Sequence, residues 1–89
     1  MALSQDLFDK ITSLAKSYGA TRLILFGSAQ DSPDTARDID LACDGVAGWK
    51  LYELAAQLEE AIHFPLDLVP LTPPNRFTIM IEQRGRRLL

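Results

Sequence analysis

The sequence predicts an α/β (α+β) layered domain built on one small β-sheet. Three observations lead there. Apolar residues recur at helical spacing in two separate stretches, short apolar runs fall between and after them, and glycine or proline punctuates most boundaries. The resulting order is helix, strand, strand, helix, strand, helix, which calls for helices layered on a sheet.

Each element follows from its residues. Leu3, Leu7, Ile11, Leu14 and Tyr18 are spaced by four, four, three and four, with Ser4 as N-cap and Gly19 as stop. Leu23-Ile24-Leu25-Phe26 is a short apolar strand ended by Gly27, and the polar residues 29–37 predict a loop. Residues 38–43 form the second strand, closed by Asp44-Gly45. After Gly48, Leu51, Leu54, Ala55, Leu58 and Ile62 mark a second amphipathic helix that Pro65 stops. Leu66-Asp67-Leu68-Val69 is a third strand, broken by Pro70. Pro73-Pro74-Asn75 opens a last helix with Phe77, Met80 and Ile81 inward and Gly85 as its stop, although Thr78-Ile79-Met80-Ile81 also fits a strand.

Bulk properties narrow the function. A chain of 89 residues is expected to form a single domain, 1–89, with a thin stability margin. The formal net charge of −3 opposes free-standing nucleic-acid binding, which normally needs a basic face. One cysteine, Cys43, excludes an internal disulfide framework and fits a reducing compartment. No apolar run approaches the ~20 residues of a membrane span. The stretch Met1-Ala2-Leu3-Ser4-Gln5-Asp6 lacks the pattern of a signal peptide, so a cytoplasmic location is expected.

The chemistry concentrates in three aspartates. Asp38 and Asp40 flank Ile39, and in a strand residues two apart share a face. Two like charges held a few Å apart repel, and a divalent cation is the usual compensator. Asp67 sits inside an otherwise apolar strand, where a charge is costly unless paired or ligating. Neighbouring strands would bring all three carboxylates to one edge of the sheet, a donor set suited to Mg²⁺ or Mn²⁺ together with substrate phosphates. Two such ions, roughly 3.5–4 Å apart, could stabilise attacking and leaving oxygens together. Gly27-Ser28 supplies the complement, because glycine lets backbone approach a phosphate and the turn offers free N–H groups beside a hydroxyl.

Gly-Ser after an apolar strand, a nine-residue spacer, Asp-x-Asp and a later strand Asp form a pattern running from about Leu23 to Val69. It resembles the nucleotidyltransferase superfamily that includes DNA polymerase beta, and within it the minimal nucleotidyltransferase (MNT) antitoxins paired with HEPN ribonuclease toxins. The N-terminal helix and the Arg84-Gly85-Arg86 ending are also similar to small members. The resemblance implies a mixed sheet flanked by helices. It implies that Gly27 and Ser28 hold nucleotide phosphates, that Asp38, Asp40 and Asp67 bind metal, and that Asp67 assists the acceptor hydroxyl. The implied activity is transfer of AMP from ATP to a tyrosine of a HEPN toxin, which silences the toxin. Many members continue Gly-Ser with an Arg-Ala-Arg-Gly-like stretch; here Ala29-Gln30-Asp31-Ser32 stands instead, and Arg37 replaces a common serine before the first acid.

Other reactive side chains have plainer readings. Ser28 as a nucleophile would need His63 as its base, and His63 is a helix-end residue beside Phe64-Pro65. Trp49 is expected to pack over a helix start, Lys50 to be solvated or to contact phosphate, and Cys43 to be a small core residue. Arg84, Arg86 and Arg87 form a basic end, solvated or docking to an acidic partner. Two alternatives to AMP transfer onto a toxin stand beside it: a binding-only antitoxin acting sterically, and a nucleotidyltransferase acting on a small molecule.

Overall fold

The structure, a computed structural model, describes residues 3–89. Met1 and Ala2, part of the N-terminal stretch inspected for a signal peptide, lie outside the described residues. The elements are α1 (Gln5–Ser17), β1 (Arg22–Phe26), α2 (Ser28–Asp31), β2 (Ile39–Asp44), α3 (Gly48–Ile62), β3 (Leu66–Pro70), α4 (Arg76–Arg84) and β4 (Arg86–Arg87). The four strands form one mixed sheet in the order β3-β2-β1-β4. β1 is antiparallel to both β2 and β4, whereas β2 and β3 run parallel, joined through α3.

Strand alternation divides the core between the two faces. Leu23 and Leu25 of β1, with Ile39, Leu41 and Cys43 of β2, point to one face and pack against α1 and α3. Ile24 and Ala42 point to the other, where Leu71 and Ile81 cover them. On the first face α1 contributes Leu7, Phe8, Ile11 and Ala15, and α3 contributes Leu51, Leu54, Leu58 and Ile62. The Ser4 hydroxyl caps α1 by accepting from the Leu7 N–H at 3.3 Å. Cys43 is buried as expected, and burial, reinforced by Asp44, pushes its thiol up to about 11. No helix among the described residues is long and apolar enough to cross a membrane.

Four sequence expectations change. The segment 29–37 is not all loop, because residues 28–31 close a helical turn: Asp31 N–H donates to Gly27 O at 3.2 Å and Ser32 N–H to Ser28 O at 2.7 Å. Its polar composition hid a turn anchored by one buried side chain, Ala29. The second strand begins at Ile39, so Asp38 precedes it by one residue. In α4 the inward residues are Thr78 and Ile81, whereas Phe77 and Met80 are 47% and 43% exposed. A reciprocal capping box sets that phase: Thr78 N–H donates to Asn75 Oδ1 at 2.9 Å, and Asn75 N–H donates to Thr78 Oγ1 at 2.8 Å. Trp49 is 70% exposed instead of packed. It lies two residues before Leu51, roughly 200° around the helix from the buried stripe.

β4 was not anticipated. Its two arginines carry no apolar alternation, and backbone bonds such as Leu88 N–H to Leu23 O at 2.7 Å hold this edge. On the α4 face Arg22 bridges Asp44 at 3.2 Å and Glu82, tying β1 to β2 and α4.

Leu58, fully buried where α3 meets the sheet, tests the core. Leu58→Ala should cost about 2–5 kcal/mol, a large part of a small domain's stability, read as a lower midpoint in urea unfolding. A loss under about 1 kcal/mol would contradict this packing.

Candidate nucleotide and metal site

The two pairings of β2 set Asp40 beside Asp67 at one end of the sheet, with Asp38 just before the strand. In the antiparallel pair with β1, Asp40 stands opposite Phe26, the residue before Gly27. In the parallel pair with β3, Asp40 stands opposite Asp67. Asp38 lies two residues upstream of Asp40. The intervening Ile39 and the following Leu41 are fully buried, which holds the alternation and keeps Asp40 on the α4 side of the sheet.

Electrostatics record the crowding. Partial burial raises the Asp40 carboxyl above the usual carboxylate range, and the negative charges of Asp38 and Asp67 raise it further. The folded protein therefore holds that proton more tightly than the unfolded chain does. Stability is thus lost as pH rises from the unfolded-chain pKa of an aspartate through the raised folded pKa of Asp40. Among the described residues no three acidic, histidine or cysteine side chains form a ready-made metal cage. The backbone nevertheless places Asp40 and Asp67 side by side, and the donor set is all carboxylate oxygen, which fits a hard divalent cation.

Gly27 completes this end of the sheet. Its backbone, at φ 73° and ψ −154°, occupies a region essentially reserved for glycine. A Cβ at this position would run into the Asp40 carboxylate. The Gly27 backbone thus lies directly against Asp40, and the chain turns at once into α2. Ser28 and Ala29 open that helical turn, so their N–H groups are among the donors a helix start leaves free, and the Ser28 side chain is exposed.

The other candidates separate. Lys50 and Trp49 start α3, beyond the end of β2 opposite Asp40, and the Lys50 Nζ lies 5.7 Å from the Trp49 ring centre. A strand rising about 3.3 Å per residue carries that end away from the acids. Arg37 adjoins Asp38 and is exposed. His63 caps α3 in a left-handed conformation and borders a groove with Ser4 and Lys10, which leaves Ser28 without a histidine base.

One feature escaped the sequence reading. A cavity of about 480 Å³ adjoins the Gly27 turn, bounded by Phe26, Gly27, Gln30, Asp31, Phe77 and Arg84 among others. Phe26 and Phe77 meet edge to face at 5.6 Å on its apolar side. The sequence signal was Arg84 itself, noted as part of a basic end and not as a neighbour of Gly27.

Comparison with known proteins places this geometry. No family profile matches the chain, and no curated protein matches it in sequence. Solved structures do. The chain is similar to a toxin–antitoxin structure with AMP-PNP, at 25% identity and a TM-score of 0.78, covering 92% of this chain and 72% of that one. It is similar to the toxin–antitoxin MntA-HepT, at 24% identity and a TM-score of 0.75, covering 97% and 72%. It is also similar to a structure of a tri-AMPylated Shewanella oneidensis HEPN toxin in complex with MNT antitoxin, at 24% identity and a TM-score of 0.76, covering 98% and 72%. The chain has the fold of MNT nucleotidyltransferase-type antitoxins.

Two outcomes test the site. Gly27→Ala should destabilise the protein by about 1–3 kcal/mol, through backbone strain and collision with Asp40, read by thermal melting; an unchanged melting temperature would sink this geometry. In chelator at pH 7, Asp40→Asn should melt higher than wild type because it removes the repelled charge. With millimolar Mg²⁺ or Mn²⁺ the wild type should gain and the variant should not, and a gain equal in both would count against Asp40 as a ligand.

Proposed function

We propose that this protein is a nucleotidyltransferase antitoxin that transfers AMP from ATP to a tyrosine of a HEPN ribonuclease toxin and so neutralises it. The observation that carries this reading is that Asp40 lies between the Gly27 backbone and Asp67, which supports a phosphate-approach turn beside an acidic cluster. The likeness to toxin–antitoxin structures, one with AMP-PNP and one with an AMPylated HEPN toxin, supports the partner and the nucleotide.

The chain's own groups divide the work. The N–H groups of Ser28 and Ala29, with the Ser28 hydroxyl, donate to phosphate oxygens brought against the Gly27 turn. Asp38, Asp40 and Asp67 would hold Mg²⁺, which when bound neutralises phosphate oxygens and withdraws charge from the reacting phosphorus. In this reading Asp67 takes the proton of an incoming tyrosine hydroxyl, and its exposure on the edge strand β3 supports that role. The tyrosine oxygen bonds to the α-phosphorus, and the bond from that phosphorus to its bridging oxygen breaks. Its electron pair departs with pyrophosphate.

A second reading has its own support. Phe77, Ile79 and Met80 are exposed along α4, an apolar surface that a purely steric antitoxin would need. Intact mass separates the two. After incubation with ATP, Mg²⁺ and the HEPN partner, the toxin should gain AMP, and Asp40→Asn should slow that gain on the order of 10²-fold or more. Tight complex formation without any mass gain would overturn catalysis and leave the steric reading.

A further inference from the structure

The turn that follows Gly27-Ser28 contains no cation: Ala29 and Gln30 are neutral and Asp31 is negative. Polyphosphate carries several negative charges, and backbone N–H groups alone offer it only partial positive charge. The fold brings a cation to this turn from elsewhere in the chain. Arg84, in the last turn of α4, lines the cavity that Gly27 also lines, and it is the one basic residue on that lining.

Two observations give this placement weight. The Gln30 side chain donates to the Arg84 carbonyl at 2.6 Å, so α2 and the end of α4 are tied at that residue. The ion pairs among the described residues all involve Arg22, so the Arg84 guanidinium is not engaged by any carboxylate, including Asp31 on the same cavity. A planar guanidinium free of internal partners, beside a phosphate-approach turn, suits bidentate contact with phosphate.

We propose that Arg84 supplies the cation missing from α2: its guanidinium binds the phosphates beyond the α-phosphate of a nucleotide seated at Gly27-Ser28, and Gln30 anchors the main chain from which it extends. This rests on the nucleotide reading above and adds the residue that recognises the leaving group. The Asp40 carboxylate lies against Gly27 and is absent from the lining of the cavity that holds Arg84, so the α-phosphate faces the carboxylates while the outer phosphates extend toward Arg84. When the bond to the α-phosphorus breaks and its electron pair passes to pyrophosphate, the added negative charge falls beside the guanidinium.

The test is calorimetric titration of AMP-PNP and, separately, AMP, each with Mg²⁺, into wild type, Arg84→Ala, Arg84→Lys and Gln30→Ala. Arg87→Ala is the control, since Arg87 is exposed, bonds the Leu89 carbonyl at 2.9 Å and does not line the cavity. Arg84→Ala should weaken AMP-PNP about tenfold or more while AMP stays within about twofold, the scale of a lost charge-assisted hydrogen bond. Arg84→Lys should recover part of the loss, Gln30→Ala should lose less than Arg84→Ala, and Arg87→Ala should match wild type. Equal AMP-PNP affinity in wild type and Arg84→Ala, or equal weakening of AMP and AMP-PNP, would overturn the role of Arg84 and leave the nucleotide site standing. Failure of wild type to bind AMP-PNP at all would overturn both. Unchanged melting temperatures across the variants separate these outcomes from misfolding.

Discussion

The register of β2 is the constraint on which the rest of this molecule depends. Its side chains alternate between a face where Ile39, Leu41 and Cys43 are sealed under α1 and α3 and a face that carries Asp40 and Ala42. A slip of one residue would drive Asp40 into the apolar layer and expose three core side chains. Burial of several apolar side chains at about 1.5–3 kcal/mol each far outweighs the local cost of crowding carboxylates, so the hydrophobic pattern dictates where the acids stand. The site inherits its geometry from the core.

That hierarchy explains how like charges can be kept together. Asp40 is partly buried and repelled by two neighbours, yet its backbone is held on both sides by ladders to β1 and β3. Gly27 adds a second local requirement, a backbone conformation closed to other residues that lets the chain lie against the Asp40 carboxylate. Repulsion among carboxylates and a backbone conformation that only glycine adopts readily fall at the same end of the sheet, in a chain otherwise built from regular elements.

Much of this was legible in the residues. Helical stripes and strand alternation gave the main elements and put Ile39 and Leu41 inward, because burial on a regular element leaves a periodic trace. Where the determinant was a hydrogen bond or a tertiary approach, the trace was absent. The α2 turn is a polar run closed by backbone bonds and one buried alanine, and β4 is two exposed arginines held by main-chain pairing. The phase of α4 was misread because Thr78 looked polar, whereas the capping box buries it and turns Phe77 and Met80 outward. Spacing placed Asp38, Asp40 and Gly27-Ser28 in one pattern, and β2–β3 pairing supplied the neighbourhood of Asp67. Arg84 could not be assigned from spacing at all, since it reaches Gly27 only through the packing of α4 on the sheet.

Strand order also governs how an acceptor reaches the acids. β3 is an edge strand, and Asp67 is exposed on it. Its outward backbone is partly guarded: the Leu66 N–H donates to Glu59 Oε1 at 2.9 Å, and Pro70 has no N–H to offer. Those features discourage indiscriminate strand addition while leaving the carboxylate at residue 67 open to solvent. A bulky group can therefore approach Asp67 from the edge without opening the core, whereas Asp40 lies inside the sheet against the Gly27 backbone. The two neighbouring carboxylates thus differ in access, one open at the sheet edge and one partly buried between β1 and β3, an asymmetry that would suit the proposed transfer from a small nucleotide to a protein.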